Sequence, residues 1–328
     1  MKKHLVLLFL MLAYSITIQA AYAHTNPVKC KIGIYIKTLK VNQLDEEFTA
    51  QFYWWARVDS INPKVDYSWV TDFEFINSSS ELEILQEITN YENGYYYSTG
   101  ICEATFPFKA DYHLFPYDRQ ILQIRLENTT YNRESVLYLP DDKSDYINNL
   151  NENPIDVLNG EGIFIEKLSC STSTKTYNTN FGDPSISLND AYSRLTFNIS
   201  IARNPNSILL KLALPLLVVL ILAYLVFYIP DDEIGTASGL TVTSLLAAIA
   251  FQWTINDSLP KVNYFTLVDK IFYLVYFFIF YAMAQTIITY NLAFKGETQK
   301  KLSTLIERHS RWMFPTLFII LLTLILNG

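Results

Sequence analysis

Histidine and cysteine are scarce in this chain, which has four histidines and three cysteines among 328 residues. No spacing of cysteines and histidines is typical of a metal site, and the hydrolase patterns G-x-S-x-G and H-E-x-x-H are absent. The sequence therefore predicts no catalytic residues, no bound metal, no cofactor and no enzyme. A pair of carboxylates is the one catalytic arrangement left open.

Basic residues are outnumbered, since 25 lysines and arginines stand against 32 aspartates and glutamates, giving a net charge of −7. Proteins that bind nucleic acid use cationic side chains to neutralise phosphates, so nucleic acid is not a predicted partner. Half of the residues are hydrophobic and 15% are aromatic, which is high for a soluble protein.

The first 23 residues have the pattern of a secretory signal peptide. Two lysines precede the apolar residues 5–18, and the small-x-small sequence Ala21-Tyr22-Ala23 is a cleavage site. We expect the mature chain to begin at His24. A true membrane helix is the alternative interpretation of this stretch.

An odd number of cysteines is unusual for an exported protein. Cys30 alternates in phase with Ile32 and Ile34, which indicates a core position. Cys102 and Cys170 also lie in strand-like runs, and a disulfide between two of the three remains open.

Residues 24–206 are rich in alternating apolar and polar positions. The segments 31–37, 121–126 and 194–202 each place their apolar side chains on one face, which is typical of strands with one buried face. Asn, Gly, Pro and Ser turns separate these segments. The pattern predicts an all-β, immunoglobulin-like antiparallel sandwich.

Residues 207–328 are rich in long apolar runs. They predict a bundle of four transmembrane helices at about 208–229, 236–255, 265–293 and 311–327. The fourth run is short and needs residues from a preceding polar turn to span the bilayer. The second run is unusually polar for a lipid-facing helix, which favours contact with water on one side.

Charge predicts the topology. Lysines and arginines outnumber glutamates between the third and fourth predicted helices, which places this linker in the cytoplasm. The β domain then lies outside, as a signal peptide also requires. The predicted location is the inner cell membrane, with a periplasmic N-terminal domain.

The second predicted helix carries a stripe of mostly small or polar side chains. Steps of three and four residues place one set on a common face: Gly239, Thr243, Leu246, Ala250, Trp253 and Asp257. One helix cannot enclose water, so the stripe predicts a symmetric ring of subunits in which Leu246 forms a hydrophobic constriction. A polar seam packed inside a helix bundle is the alternative.

Three acidic residues, Asp231, Asp232 and Glu233, precede this helix. Acids commonly cap helix N-termini and oppose the helix dipole. A ring of Glu233 carboxylates at the cytoplasmic mouth would favour cations. Both interpretations can hold together.

Five motifs in order resemble the pentameric ligand-gated ion channels, in particular the bacterial relatives of the Cys-loop receptors. They are "FPYDRQ" (115–120), "WVTDFEFIN" (69–77), "ARNP" (202–205), Pro215 within the first helix, and "TSLLAAIAFQW…SLPK" (243–261). The positions of the family's loop disulfide are Phe108 and Leu122, so this chain lacks that bond. The resemblance covers essentially the whole mature chain and implies a homopentamer around a central pore.

The resemblance also implies a coupling role for the "FPYD" loop. In the family this loop rests on the membrane end of the β domain. The residues implied are Asp45, Phe115, Pro116, Asp118, Arg203, Pro260 and Lys261, with Asp118 paired to Arg203 and the aromatic tip against Pro260 and Lys261.

Agonists in the family bind between subunits, among aromatic and acidic side chains. The corresponding positions are Tyr53, Phe75, Asn77, Tyr95, Tyr97, Asp156, Tyr177 and Tyr192. Aromatics with an acid would suit an ammonium group. The stretch around Asp156 lacks the usual aromatic, and the loop near Tyr177 lacks paired cysteines.

A proton is the rival stimulus, because His113 precedes the coupling loop and histidine titrates near physiological pH. A surface residue without a role is the alternative for His113. The leading functional prediction is a channel for monovalent cations, embedded in lipid and opened by protons or a small-molecule agonist. A non-conducting membrane sensor or binding receptor is the second.

Overall fold

The computed structural model describes residues 26–327 except 60, 63, 82, 93, 142–161, 183, 185–187 and 258–260. The predicted signal peptide lies outside these residues. Strands come first and helices follow. The strands are β1 (Val28–Asn42), β2 (Glu47–Asp59), β3 (Phe73–Phe75), β4 (Glu83–Glu92), β5 (Tyr95–Pro107), β6 (Arg119–Asn128), β7 (Val136–Pro140), β8 (Ile163–Thr176) and β9 (Ala191–Arg203).

The strands form two sheets, which confirms the predicted sandwich. One sheet has the order β4-β5-β2-β1-β7 and the other β3-β6-β9-β8. Neighbouring strands are antiparallel, except that β1 and β7 pair in parallel. Burial alternates residue by residue along β2 and β5, as period-two sequence patterns require.

Aromatic side chains fill the space between the two sheets. The rings of Phe52 and Phe75 meet edge to face at 5.3 Å, and those of Trp54 and Phe73 at 5.0 Å. Each fully buried side chain of this size contributes about 1.5–3 kcal/mol to folding. These two contacts join β2 of one sheet to the short strand β3 of the other.

The cysteines of the first two strand-like runs belong to this core. Cys30 and Cys102 are fully buried free thiols, as predicted for Cys30. Burial disfavours the charged thiolate, so it raises the pKa of Cys102 to about 12 and raises that of Cys30 further. Neither thiol is suited to reaction with a partner in solution.

The C-terminal part contains four helices that are long and apolar enough to cross a membrane. They are α1 (Pro205–Leu225), α2 (Ile234–Asn256), α3 (Leu267–Ala293) and α4 (Glu297–Asn327). The side chain of Asn204 caps α1 by accepting from the amide of Asn206, and Pro205 occupies its first turn. Thr266 and Asp269 form a capping box at the start of α3.

The fourth helix corrects one expectation. Apolar length predicts it at about 311–327 after a polar turn, but the helix begins at Glu297. Only residues 294–296 separate α3 from α4, and Gly296 adopts a positive φ of 129° there. The basic linker is therefore mostly a helical extension, because its Glu, Gln, Lys, Leu and Arg residues favour helix.

Candidate pore and coupling site

Helix α2 has two sharply different faces. One face is buried and carries Ala237, Thr241, Ser244 and Ala248. It packs toward α3, where Oγ1 of Thr241 lies 3.2 Å from Sδ of Met283. This packed face contains a polar seam of its own, whose hydroxyls donate to carbonyls of the preceding helical turn.

The predicted stripe lies on the opposite face. Each of its members is exposed: Gly239, Thr243, Leu246, Ala250, Trp253 and Asp257. Leu246 keeps 61% of its surface exposed and Trp253 keeps 69%. The stripe is therefore not a seam within this chain's own bundle, and it is free to meet water or neighbouring copies.

The acidic residues before α2 have separate positions. Glu233 is exposed at the N-cap of α2, and its side chain makes no cap hydrogen bond among the described contacts. Asp232 is also exposed, whereas the carboxylate of Asp231 accepts from Oγ of Ser303 at 3.1 Å. Helix capping therefore does not account for the Glu233 side chain.

A buried ion pair joins the loop before β6 to the end of β9. Nε of Arg203 donates to Oδ1 of Asp118 at 3.1 Å, and the two side chains are only 8% and 3% exposed. Gln120 donates to the other Asp118 oxygen at 3.0 Å. The guanidinium also lies 5.1 Å from the ring centre of Phe115. Each partner thus has a further contact: Gln120 donates to the carboxylate, and Phe115 packs on the guanidinium. A buried ion pair needs such additional contacts to offset the loss of hydration.

The turn between β1 and β2 reaches this pair through Gln43. Oε1 of Gln43 accepts from Nη2 of Arg203 at 2.7 Å. The carboxylate of Asp45 instead accepts from Nδ2 of Asn42 at 2.6 Å, within the turn itself. The resemblance implies that Asp45 joins the pair from the side, but the structure gives that position to Gln43.

The loop between β5 and β6 contacts the membrane domain through Tyr112 and His113. The amide of Tyr112 donates to the Tyr264 hydroxyl at 3.0 Å, and the carbonyl of His113 accepts from the amide of Leu267 at 2.9 Å. The His113 and Tyr264 rings stack at 3.8 Å with 7° between their planes. His113 is therefore an interface residue rather than a surface residue without contacts.

An aspartate holds the histidine in this stack. Both the amide of His113 and its ring Nδ1 hydrogen-bond to Oδ1 of Asp111, the latter at 2.6 Å. These hydrogen bonds lower the pKa of the Asp111 carboxyl below its usual range. The carboxylate therefore stays charged beside the imidazole.

The structure describes only part of the predicted contact between the aromatic tip and the outer loop. Phe115 is buried beneath Arg203, and Pro116 follows it through a cis peptide bond. Pro260 lies outside the described residues. Lys261 is exposed and lines a cleft of about 650 Å³ at the outer end of the helices, together with Tyr112. Phe115 thus supports the ion pair, and the adjacent Tyr112 and His113 make the domain contact.

The predicted ligand residues include one compact cluster near the β8–β9 turn. The Tyr177 hydroxyl donates to Oε2 of Glu127 at 3.0 Å and accepts from Nη2 of Arg194 at 3.1 Å. The rings of Tyr192 and Phe181 lie 5.9 and 5.4 Å away. Burial and the Glu127 carboxylate raise the pKa of Tyr177, so its hydroxyl stays neutral.

Other predicted ligand residues have structural roles or lie elsewhere. Phe75 is a core residue with 7% of its surface exposed, so its side chain packs between the sheets. The Asn77 side chain donates to the carbonyl of Gln123 and accepts from the amide of Arg125. Asp156 lies outside the described residues.

The predicted ligand tyrosines of β2 and β5 lie on the opposite sheet from Tyr177. Tyr53 is 39% exposed, and Tyr95 and Tyr97 are partly exposed. A box containing both groups would therefore need two copies of the chain.

Comparison with known proteins relates the helical part to one family. The model described as "Neurotransmitter-gated ion-channel transmembrane region" matches residues 212–319. Over 128 residues the chain is 30% identical to a protein named proton-gated ion channel from Gloeobacter violaceus, a match covering 39% of this chain and 34% of that protein.

Two receptor subunits match over more of the chain. Identity is 21% over 294 residues with acetylcholine receptor subunit beta-type acr-2 of Caenorhabditis elegans, covering 86% of this chain and 46% of the subunit. It is 21% over 283 residues with gamma-aminobutyric acid receptor subunit rho-3 of Rattus norvegicus, covering 79% and 58%. The chain thus spans between 34% and 58% of the lengths of these relatives.

Proposed function

The chain belongs to the pentameric ligand-gated ion channels of the Cys-loop type, and from this premise we propose that five copies surround an ion pathway lined by α2. It is a multi-pass membrane protein with an extracellular N-terminal domain. The exposed stripe of α2 carries the proposal. A helix with one face packed on α3 and a mixed polar face left open needs neighbouring copies to enclose water.

We propose that the pathway selects monovalent cations. Glu233 is exposed just before the first turn of α2, and Asp257 is exposed at its other end. Five-fold repetition would turn each into a ring of carboxylates, which attracts cations and repels anions.

The proposed closed gate is a ring of Leu246 side chains. Leu246 lies near the middle of the stripe, between Thr243 and Ala250, and exposes most of its apolar surface. An apolar ring of sufficiently small radius excludes water and hence ions. Opening then requires α2 to tilt or turn, and the outer loop at Tyr264 is the nearest described contact with the β domain.

The proposed stimulus acts from outside, and protons are the first candidate. His113 stacks on Tyr264 at the domain contact, so protonation would add a positive charge to the ring stack and to its contact with Asp111. One relative is named a proton-gated ion channel. The stack thus places a titratable group on the contact through which we propose the gate is moved.

A small organic agonist is the second candidate stimulus. The cluster around Tyr177 offers aromatic rings beside a carboxylate and a guanidinium. Nζ of Lys175 already lies 5.6 Å from the centre of the Tyr177 ring. An ammonium ligand would have to displace this lysine, whereas a ligand with its own anionic group would pair with it.

Voltage clamp of cells expressing the full chain tests the proposal. The outer pH is stepped under a cation gradient, first without and then with candidate agonists. A reversible current that reverses near the cation equilibrium potential is the expected result. A surface-expressed, pentameric chain that conducts under none of these conditions would leave a non-conducting receptor as the function.

A further inference from the structure

A small cavity lies at the inner end of the helices, between the α1–α2 loop, α3 and α4. Its volume of about 10 Å³ fits about one water molecule. Its polar lining consists of Asp231, Gln285, Thr286, Thr289 and Glu307. We call it the inner cavity.

Gln285 gives the first sign that this cavity holds something. The residue is buried, with only 5% of its surface exposed, and its Oε1 has no hydrogen-bond partner among the residues that the structure describes. The hydroxyl of Thr286 donates to the Ala282 carbonyl and that of Thr289 to the backbone carbonyl of Gln285, so neither serves the Gln285 side chain. A buried carbonyl oxygen left without a donor costs about 1–3 kcal/mol. A water molecule or another donor in the inner cavity would remove this cost.

The two carboxyls supply the second sign. Asp231 and Glu307 both line this water-sized cavity, and Asp231 also accepts from Oγ of Ser303 at 3.1 Å. Two carboxyl groups that face one such space can hydrogen-bond to each other only if one of them carries a proton, because ionised carboxylates only accept. Two carboxylates sharing one site also repel each other when both are charged.

The charges around the pair do not remove the need for this proton. From α4, Nη2 of Arg311 lies 3.8 Å from Oε2 of Glu307, while its Nε donates to the carbonyl of Phe227. Its guanidinium also covers the ring of Tyr228 at 4.5 Å. Arg311 therefore supplies one positive charge to two carboxyl groups, and its guanidinium also contacts Phe227 and Tyr228.

Other titratable groups near the cavity are few among the described residues. Tyr224, in the last turn of α1, and Tyr228, just after this helix, hydrogen-bond to each other. Asp232 and Glu233 follow Asp231 and are exposed. The lining residues of α2 and α3 carry no ionisable group.

We propose that Asp231 and Glu307 hold one shared proton in the inner cavity, forming a proton-binding site on the cytoplasmic side of the protein. The proton links α4 to the loop that carries Glu233. When the proton leaves, two like charges separate α4 from that loop, and the negative charge beside the inner mouth increases. The site responds to internal pH, whereas the proposed stimulus is external.

Infrared difference spectroscopy tests for the proton without any current. The full chain is purified in a detergent without ester carbonyls, and spectra are compared between acidic and alkaline buffers in H₂O and D₂O. We expect a carboxylic-acid C=O band that persists at neutral pH and shifts in D₂O. Glu307→Gln should lose this band, and Glu297→Gln, exposed at the start of α4, should keep it.

Asp231→Asn provides a second variant should Glu307→Gln fail to fold. An asparagine amide can donate to an ionised Glu307, so the band should again be lost. The proposal is overturned if the unsubstituted chain has no such band at neutral pH, or if both variants keep it. Removal of the band by Mg²⁺ or Ca²⁺ at constant pH would overturn it too, because the cavity would then be a metal site.

The electrical consequence rests on the proposed channel function and is measured separately. In inside-out patches, stepping the internal pH should change the current of the unsubstituted chain, and Glu307→Gln should lose this dependence. Current without the infrared band would refute the proton site alone. The band without any current would refute the channel function alone.

Discussion

Asp118 and Arg203 form a buried ion pair at 3.1 Å, and Arg203 is the last residue of β9 before the first membrane helix. The pair therefore fixes the coupling loop to the start of the membrane domain. Gln43 adds a contact from the β1–β2 turn to the same guanidinium. Three separate chain segments converge on one side chain.

Asp118→Ala should abolish opening while pentamers still reach the cell surface. Removing one partner of a buried pair leaves the other charge uncompensated, at a cost of about 3–5 kcal/mol. Current and surface labelling are measured on the same cells. Arg119→Ala is the matched control, because the Arg119 side chain is 75% exposed and its pair with Glu166 is worth at most about 1 kcal/mol. Normal currents from Asp118→Ala would disprove the coupling role.

His113→Phe should keep the stack on Tyr264 but lose sensitivity to external pH. Phenylalanine preserves an aromatic contact and cannot take a proton, so currents should persist at a level independent of pH. The measurement is a series of external pH steps under voltage clamp. His309 is exposed on α4, so His309→Phe serves as the control and should respond like the unsubstituted chain. An unaltered pH response of His113→Phe would place the proton sensor elsewhere.

Leu246→Ser should produce current without any stimulus. A ring of hydroxyls holds water where a ring of leucines repels it, so the closed state should leak. Resting conductance is compared with that of Leu217→Ser, a change at a similarly exposed apolar position on α1. A resting conductance that stays low for Leu246→Ser would show that the gate lies at another level of the stripe.

Glu233→Gln should shift the reversal potential toward that of the anion. The substitution removes five charges from the inner mouth of a pentamer and leaves the size of the side chain almost unchanged. Reversal potentials are recorded under a salt gradient, with Glu297→Gln as a control that removes equal charge from α4. Equal reversal potentials in both variants would mean that selectivity arises from other groups.

Periodicity predicts the parts of the molecule that repeat regularly. The stripe from Gly239 to Asp257 follows the helical repeat over more than four turns, so the sequence alone is enough to assign its common face. The alternation along β2 is equally long. Phe75 is harder to place because β3 has only three residues, too few for alternation to indicate which side faces inward.

Contacts between distant segments are harder to predict. The Asp118–Arg203 pair follows only from resemblance to a family, and the sequence does not point to the roles of Gln43 and Tyr264. Neither residue belongs to a periodic pattern, and their partners lie far along the chain. An aromatic residue in the short loop before α3 is the one available signal for Tyr264. The length of the apolar run does not predict that α4 begins at Glu297, because the residues that extend the helix are polar helix formers.

A single residue, Asn204, separates β9 from α1. Its side chain is committed to capping the helix, and the proline that follows has a fixed φ. The sandwich and the first membrane helix are therefore joined by a short, stiff connection. A small rotation of the β3-β6-β9-β8 sheet must appear as displacement of α1 within the bilayer, because one capped residue leaves no length of chain to absorb it.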